Sequence, residues 1–321
     1  MTSRRARQGW GSFGNVTPEH EGFLLVQHDD LASDVAMVPN SLEPPARLPV
    51  REVRASAPIW RQWNLIWNFA QRDLKSKFKG STLGWLWSLV VPLATLGIYT
   101  AVFSTIMRVP PPPMGHGEKG IFVLWFAIGL TGWSFFSSSI NGGISGLIGT
   151  GALLKKIYFP AYAPVLGSIV ATGVQSLIEL SLVLVALLAV GNVGWTWLLL
   201  PFVVVIFVVF TTSLSTGLAI LNVYVRDMAH LVAVALQMLF YATTIIFPLS
   251  MIPVELHGLP LRLLFSLNPL TQFLQLFRDL VYGLTAGSLL QWAYVTVWTA
   301  AMLAWAMWVF KRRGGDLGEE L

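Results

Sequence analysis

Long apolar stretches separated by short polar connections dominate the chain from residue 84 onward. A helix needs about 20 predominantly apolar residues to cross a hydrocarbon core of ~30 Å. Six stretches meet this requirement, namely residues 84–107, 121–146, 164–190, 195–221, 229–249 and 289–310. The pattern therefore predicts an all-α membrane protein with six transmembrane helices, and residues 81–310 are its predicted transmembrane domain.

The segment before the first predicted span, residues 59–80, has a different pattern. Apolar residues recur there at spacings of three and four, the period of a helix. This stripe consists of Ile59, Trp63, Ile66, Trp67, Ala70, Leu74 and Phe78. The opposite side carries Arg61, Gln62, Asn64, Gln71, Arg72, Lys75 and Lys79. Such a pattern favours an amphipathic helix in the membrane interface; the alternative is a helix packed on soluble protein.

Residues 251–288, between the fifth and sixth predicted spans, are too apolar for a water-exposed loop. Within them, "LPLRLLFSLNPLTQFLQLFRDLVYG" (residues 259–283) predicts two short helices broken at Asn268 and Pro269, each too short to span. Non-helical backbone at membrane depth occurs only where it is buried in protein or lines a polar cavity. We therefore expect short re-entrant helices beside a pathway; the alternative is a pair lying flat on the outer surface.

The few charged residues are placed beside the apolar spans. Only 12% of the residues are charged, against about 25% in a typical soluble protein. With the N-terminus inside, the inner flanks hold ten basic residues and the outer flanks four, Arg108, Lys119, Arg262 and Arg278. The positive-inside rule then predicts a multi-pass protein of the cytoplasmic (inner) membrane with both termini cytoplasmic. The net charge of +5 is thus explained without nucleic acid.

The two ends of the chain have the composition of polar tails. Residues 1–58 mix Gly, Pro, Ser and charges of both signs, which predicts a partly disordered cytoplasmic tail. No apolar stretch of signal-peptide length follows Arg4, Arg5 and Arg7, so we expect this tail to be uncleaved. Residues 311–321 form a short basic and acidic C-terminal tail, also expected in the cytoplasm.

The residue types needed for catalysis are sparse. The chain has no cysteine, no G-x-x-x-x-G-K-[ST] phosphate loop and no H-E-x-x-H pair among its 5 histidines. We therefore predict no catalytic residue and no metal site, and disfavour an enzyme. Glu179 is the one clear ionisable residue inside a span, where buried charge is usually retained for function. It is either a proton site or a hydrogen-bonding group between helices.

Three segments resemble ABC-2 type permeases that export lipid-linked polysaccharides, the exporters of O-antigen, teichoic acid, capsule and galactan. They are "NFAQRDLKSKFKGSTLGWLWSLVVPLATLGIYTAVF" (residues 68–103), "LNVYVRDMAHLV" (residues 221–232) and "LNPLTQFLQLFRDLVYG" (residues 267–283). The resemblance covers residues 59–310 in the order and separation of that family. The long N-terminal tail, residues 1–58, is a departure from the family pattern. It favours a galactan exporter within that family.

This resemblance implies a permease subunit that forms a homodimer and binds two copies of a separate cytoplasmic ATPase. ATP and Mg would belong to that ATPase, with no cofactor in this chain, and the cargo would be an undecaprenyl- or decaprenyl-linked polysaccharide moved outward. The implied gate helix, residues 59–80, carries Trp63, Trp67, Arg72, Asp73 and Lys75. The implied ATPase-coupling residues are Lys155, Lys156, Tyr158, Tyr224, Arg226 and Asp227. The implied re-entrant segment that closes the channel carries Asn268, Pro269 and Arg278.

Aromatic residues are abundant, with 14 Trp, 7 Tyr and 19 Phe. Because aromatic faces stack on the C–H surfaces of sugars, some of them are candidates for lining a polysaccharide channel. The candidates are Trp85, Trp87, Tyr99, Phe103, Trp125, Trp133 and Phe136. The alternative is that Trp and Tyr form belts at the membrane interfaces. Ser137, Ser138, Ser139 and Asn141 either face the channel or mediate close helix packing.

Three rival functions stay open from the sequence. The first is an ABC-2 permease for a drug or small lipid, against which the aromatic content argues. The second is an ion-coupled carrier, for which Glu179 is the sole support. The third, an enzyme of polyprenol metabolism, is disfavoured by the missing acidic and histidine clusters.

Overall fold

The computed structural model describes residues 62–78, 80, 84–117, 119–154, 159–256, 258–314 and 317. These residues form helices joined by turns, and the described ranges contain no β-strand. The helices are α1 (Trp63–Phe78), α2 (Trp87–Thr100), α3 (Phe122–Gly149), α4 (Gly151–Leu154), α5 (Tyr162–Ala189), α6 (Leu200–Tyr224), α7 (Met228–Tyr241), α8 (Leu261–Ser266), α9 (Pro269–Val281) and α10 (Leu289–Arg313). The predicted tail 1–58 lies outside the described residues.

Five helical segments within the described residues are long and apolar enough to cross a membrane. They are α2 with its π-helical continuation to Ile106, α3, α5, α6 with the 3₁₀ turn Trp195–Leu199 before it, and α10. All five start and end close to their predicted bounds. The all-helical membrane architecture predicted from the sequence is therefore confirmed.

The fifth predicted span, residues 229–249, differs from the structure. Helix α7 ends at Tyr241 after 14 residues, and residues 242–247 form turns and bends. At 1.5 Å per residue, α7 is about 21 Å long and does not reach across the hydrocarbon core alone. The apolar run continues to Leu249, so apolar composition alone predicted a longer helix than the one that forms.

The break between α8 and α9 lies where the sequence predicts it. Asn268 is extended, and its side-chain oxygen accepts a hydrogen bond from the Leu270 N–H at 3.0 Å. Pro269 occupies the first helical position, where its missing N–H leaves no hydrogen bond unmade. The prediction of two short helices broken at Asn268 is confirmed. Their depth in a membrane stays a prediction.

Helix α3 is the centre of the fold and contacts α2, α5, α6, α7 and α9. Its aromatic side chains fill the core, where Phe136 stacks near Phe210 and Phe126 stacks near Phe122. The Ser215 hydroxyl donates to the Ser139 carbonyl at 2.8 Å, which joins α6 to α3. Because neighbours surround α3 on several sides, most of its apolar residues are buried in protein rather than facing lipid.

Helix α1 packs on the first turns of α5. Ile66, Phe69 and Ala70 are buried against α5, and Gly167 lets the two backbones come close. The predicted apolar stripe is thus divided, since Ile66 and Ala70 are buried while Trp63 and Trp67 are 50% and 39% exposed, and its contact with a membrane interface stays a prediction. Their rings stack on one another with centroids 6.5 Å apart. The buried side is shifted because packing on α5, rather than hydrophobicity alone, selects the face.

Contacts between elements define two ends of the helix bundle. The inner end holds the start of α1, residues 159–162, the α6–α7 connection and the end of α10. The outer end holds residues 110–121, residues 191–197 and the end of α9. These two names follow the topology predicted from the basic residues.

Candidate functional site

The outer end is organised around Arg278 on α9. Its side chain is 2% exposed, and its guanidinium donates hydrogen bonds to the carbonyls of Trp125, Thr244 and Ile245. The same group lies 3.6 Å from the centre of the Trp125 ring, a cation–π contact. Burial lowers the pKa of Arg278 to about 9, so the group stays protonated at neutral pH. Arg278 thus joins α9 to α3 and to the turns after α7.

The burial of Arg278 goes beyond the sequence prediction, which placed it among the outer basic residues and in the re-entrant segment. Gly129 of α3 provides the space for its guanidinium, because a Cβ there would lie 2.1 Å from the Arg278 Nη2. The sequence carries no signal for this burial, because two of the acceptors are backbone carbonyls in turns after α7 and their need for a donor arises only in the fold.

Asn268 holds the same turns from the other side. Its amide donates to the Ala242 carbonyl at 3.2 Å and to the Thr243 hydroxyl at 3.0 Å. Arg278 binds Thr244 and Ile245, so the two side chains together engage four consecutive residues. The predicted re-entrant residues Asn268 and Arg278 are therefore brought together on one irregular segment, residues 242–245.

The C-terminal end of α9 is tied to both neighbouring connections. The Tyr282 hydroxyl donates to the Pro112 carbonyl at 2.9 Å and accepts from the Ile121 N–H at 2.9 Å. The Asn192 amide donates to the Val281 and Tyr282 carbonyls, and the Thr196 hydroxyl donates to the Leu280 carbonyl. These side chains satisfy carbonyls that a helix end leaves open. The outer ends of α3, α5, α6 and α9 thus form one connected layer.

We expect Tyr282→Phe to loosen this layer. The change removes the hydroxyl that bridges the Pro112 carbonyl and the Ile121 N–H, and leaves both without that partner. The expected loss of stability is about 1–3 kcal/mol, read as a lower melting midpoint of the purified protein. Tyr241→Phe is the control, because that ring is exposed and its hydroxyl donates to no group within the described part of the chain. Equal midpoints for both variants would contradict the bridge.

The last turn of α1 is tied to the middle of α5 by a polar chain. The Lys77 ammonium donates to the Gln175 side-chain oxygen at 2.6 Å, and the Gln175 amide donates to the Glu179 carboxylate at 3.1 Å. Glu179 is buried between helices. Its partner is thus a residue of its own helix that also contacts α1, which fits the packing interpretation of Glu179.

Next to this chain lies a polar cavity of about 380 Å³ between α1, α3 and α5. Arg72, Asp73 and Lys77 line it on α1, opposite hydroxyls that include Ser138 and Ser145. A wider cavity of about 570 Å³ adjoins it, sharing Gly142, Ser145 and Gly149. In the part of the chain that the structure describes, no three His, Cys, Asp or Glu residues are grouped as metal ligands.

The candidate channel aromatics do not share one surface. Trp125, Trp133 and Phe136 are buried in the core of this chain, and their place along a channel stays a prediction. Their burial follows from the central position of α3. Tyr99 and Phe103 are half-buried and stack at 6.1 Å, and Trp87 is exposed. The Trp85 side chain lies outside the described residues.

The remaining predicted residues lie at or near the inner end. Arg226 and Asp227 are exposed in the short connection between α6 and α7. The Tyr224 hydroxyl donates to the Arg313 carbonyl at 2.6 Å. Arg72 and Asp73 form an ion pair at 3.2 Å, and Lys75 is exposed. Lys155, Lys156 and Tyr158 lie outside the described residues.

Comparison with known proteins decides the family. Residues 64–282 match the family model described as "ABC-2 type transporter". The chain belongs to the ABC-2 type transporter family. It is 31% identical to the O-antigen export system permease protein RfbA of Myxococcus xanthus over 231 residues, 72% of this chain and 85% of that protein. It is 27% identical to the protein of the same name from Klebsiella pneumoniae over 238 residues, 73% of this chain and 85% of that protein.

The extent of the family match agrees with the sequence resemblance. The matched region of this ABC-2 transporter begins within α1 and ends at Tyr282, just after α9. It therefore includes the α1–α5 contact, the polar cavity and the outer layer held by Arg278. These three features of the site thus lie within the family's own region.

Proposed function

We propose that this chain is the transmembrane subunit of an ATP-driven exporter that moves a lipid-linked polysaccharide outward across the cytoplasmic membrane. The observation that carries the proposal is the similarity to two O-antigen export permeases over 85% of their length, within the ABC-2 type family. ATP hydrolysis would occur on a separate cytoplasmic subunit. The sugar is open, and a galactan stays a prediction.

A homodimer would explain the polar surface on α3. Ser138, Asn141 and Ser145 are exposed on a helix that is long and apolar enough to span the membrane. Polar groups inside a membrane face the bundle interior or a water-filled cavity. A second copy opposite this surface would enclose a wet channel, with the adjoining cavities at its inner half.

The hydrogen bonds of this surface suit a sliding glycan. The Asn141 amide donates to the Ser137 carbonyl and the Ser145 hydroxyl donates to the Asn141 carbonyl, both within α3. One N–H of the Asn141 amide and the Ser145 O–H are thus engaged, and the side-chain oxygens of both residues can accept hydrogen bonds from sugar hydroxyls. Contacts of this kind are weak and similar from one helical turn to the next, so no single position binds the glycan tightly.

Six crossings fit the proposal better than five. The start of α7 follows the α6–α7 connection at the inner end, while the turns after α7 contact Trp125 near the outer end of α3 through Arg278. Residues 228–245 therefore pass from one end of the bundle to the other, partly as non-helical backbone. Such backbone is tolerated at membrane depth where protein encloses it.

The proposal is tested by co-expressing this chain with a candidate cytoplasmic ATPase and purifying both together. We expect a stable complex with two copies of each subunit whose ATP hydrolysis responds to a lipid-linked glycan. Reconstitution in vesicles then measures ATP-dependent transfer of the glycan across the bilayer. A chain that binds no ATPase, or a complex that moves a small lipid and no glycan, would overturn the proposal.

Replacing Arg226 or Asp227 with alanine is expected to uncouple the two subunits. Both residues are exposed in a connection of the inner end, so the change removes contacts to a partner without opening the core. We expect ATP-driven export to fall about tenfold or more, the equivalent of ~1.4 kcal/mol, with dimer insertion unchanged. Glu255→Ala, also exposed but in the connection after α7, is the control. Unchanged export in the Arg226 and Asp227 variants contradicts the coupling role.

A further inference from the structure

The end of α10 contacts two parts of the inner end that the proposed function involves in coupling ATP hydrolysis to export. One part is the α6–α7 connection with Arg226 and Asp227, and the other is α1. We infer that Tyr224 and Tyr162 are positioning residues that link these parts through the last turn of α10. The inference rests on the proposed function, in which the connection contacts the ATPase, and takes α1 as the gate helix that the family resemblance implies.

The first contact joins the α6–α7 connection to α10. Tyr224 is the last residue of α6, and its hydroxyl donates to the Arg313 carbonyl at 2.6 Å. The Arg313 guanidinium lies 4.9 Å from the centre of the same ring. The carbonyl belongs to the last turn of α10, where helices leave their acceptors open. Tyr224 therefore holds the end of α10 with its ring and with its hydroxyl.

The connection itself is held rigid against Tyr224. Asn222, two residues earlier on α6, accepts a hydrogen bond from the Ala229 N–H at 2.8 Å through its side-chain oxygen. Asn222 is buried, and Ala229 belongs to the first turn of α7. The three residues of the connection thus lie between two fixed points, so a push on Arg226 or Asp227 is carried to the end of α6.

The second contact joins α10 to α5 and α1. The Phe310 ring lies one turn before the end of α10 and 5.9 Å from the Tyr162 ring. Tyr162 is the first residue of α5, and its hydroxyl donates to the side-chain oxygen of Gln62 at 2.8 Å. Gln62 is buried and immediately precedes α1. Tyr162 therefore contacts α10 with its ring and α1 with its hydroxyl.

Helix packing makes α10 a suitable link. Gly217 of α6 faces Trp305 of α10 so closely that a Cβ would lie 2.1 Å from the indole ring. Helices α6 and α10 therefore move as one body over this length. The inner end of α10 then acts on α5 and α1 through the Phe310–Tyr162 ring contact.

The test uses two phenylalanine variants that keep each ring and remove only the hydroxyl. In the full-length chain in lipid nanodiscs, we measure hydrogen exchange of the α1 amides. One lost hydrogen bond of ~1 kcal/mol corresponds to about fivefold faster exchange where α1 opens locally. Tyr162→Phe is expected to show this directly. Tyr224→Phe removes the hydrogen bond to the end of α10 and is expected to show it as well, because α10 carries the effect.

Tyr294→Phe is the matched control. Its hydroxyl also donates to a backbone carbonyl, that of Leu267, but Tyr294 lies near the start of α10, away from the inner end. We expect α1 exchange in this variant to equal that of the unmodified chain. If Tyr224→Phe also leaves α1 exchange unchanged, the link through α10 does not exist.

The functional readout is the amount of glycan exported per ATP hydrolysed in the complex with the ATPase. A purely structural role lowers the amount of complex and leaves this ratio unchanged, whereas the link predicts that it falls about fivefold in both variants. Faster α1 exchange with an unchanged ratio would overturn the coupling inference. Absence of ATP-dependent export in the unmodified complex would overturn the proposed function, while the exchange result would still report on the contact itself.

Discussion

Arg278→Ala is expected to lower the melting midpoint of the purified protein more than any other single change at the outer end. The substitution leaves the turn carbonyls of Thr244 and Ile245 buried without their donor, and it removes the hydrogen bond to the Trp125 carbonyl and the contact with the Trp125 ring. A buried acceptor left unsatisfied costs about 1–3 kcal/mol. The two turn carbonyls together with the lost Trp125 contacts give an expected loss on the order of 3–5 kcal/mol.

The loss should appear at a defined place. Thr244 and Ile245 belong to the turns after α7, and their fixed position depends on Arg278. Hydrogen exchange should therefore increase first in residues 242–248 and in α9, before the inner half of the bundle responds. At roughly 2–4 °C per kcal/mol for a chain of this size, the midpoint should fall by about 10 °C.

Two further variants separate the charge from its geometry. Arg278→Lys keeps the positive charge but lacks the planar fork that reaches three carbonyls, so an intermediate midpoint is expected. Arg262→Ala is the control, since Arg262 also donates to backbone carbonyls, those of Ile252 and Ser250, but lies in a half-exposed position. If Arg262→Ala lowers the melting midpoint as much as Arg278→Ala does, the buried hydrogen bonds of Arg278 have no special role.

The sequence predicted the elements of this layer but not its connections. Helical periodicity and the Asn268-Pro269 pair predicted α8, α9 and their break, because capping chemistry is local. The partners of Arg278 are 33, 34 and 153 residues away, and two of them are backbone carbonyls in turns that were predicted as helix. Local patterns do not encode which distant carbonyls are free. Arg278 therefore had the appearance of a surface charge.

The candidate channel residues show a second limit. A single hydrophobic helix gives no sign of which sides meet protein and which meet lipid or water, because both are apolar in a membrane. Trp125, Trp133 and Phe136 therefore had the same sequence signal as exposed aromatics, although they are core residues. The polar side of α3 was visible in the sequence, since Ser138 and Asn141 interrupt the apolar run. Only the fold shows that these two are exposed while Ser139 is buried.

Gly167→Ala is expected to detach α1 from α5 and to lower export about tenfold with little loss of the remaining fold. A Cβ at this position would lie 2.4 Å from the Phe69 Cβ and 3.1 Å from both the Ala70 nitrogen and the Ile66 carbonyl oxygen. Backbone cannot rotate away as a flexible side chain does, so α1 must move as a body. Overpacking of this kind costs about 1–3 kcal/mol, which is comparable to the burial of one large apolar side chain of α1.

Helix α5 offers a matched control for this change. Gly173 lies less than two turns further along, and a Cβ there would meet the Phe135 ring at 3.9 Å, an ordinary contact. Gly173→Ala adds the same methyl group to the same helix. The higher helix propensity of alanine relative to glycine stabilises the helix by up to ~1 kcal/mol. We expect Gly173→Ala to export normally, whereas Gly167→Ala exposes α1 to rapid hydrogen exchange and lowers export about tenfold. A tenfold decrease corresponds to a loss of ~1.4 kcal/mol in the free energy with which α1 packs on α5.

The pair of glycine variants also decides what α1 does. If α1 only anchors the chain to the membrane interface, its contact with α5 is dispensable, and Gly167→Ala exports as well as Gly173→Ala despite faster exchange. If α1 is a gate, its position over the polar cavity lined by Arg72, Asp73 and Lys77 sets access to that cavity. Export then falls together with α1 docking. Since both variants carry the same added methyl group, a difference between them is attributable to the contact of α1 with α5.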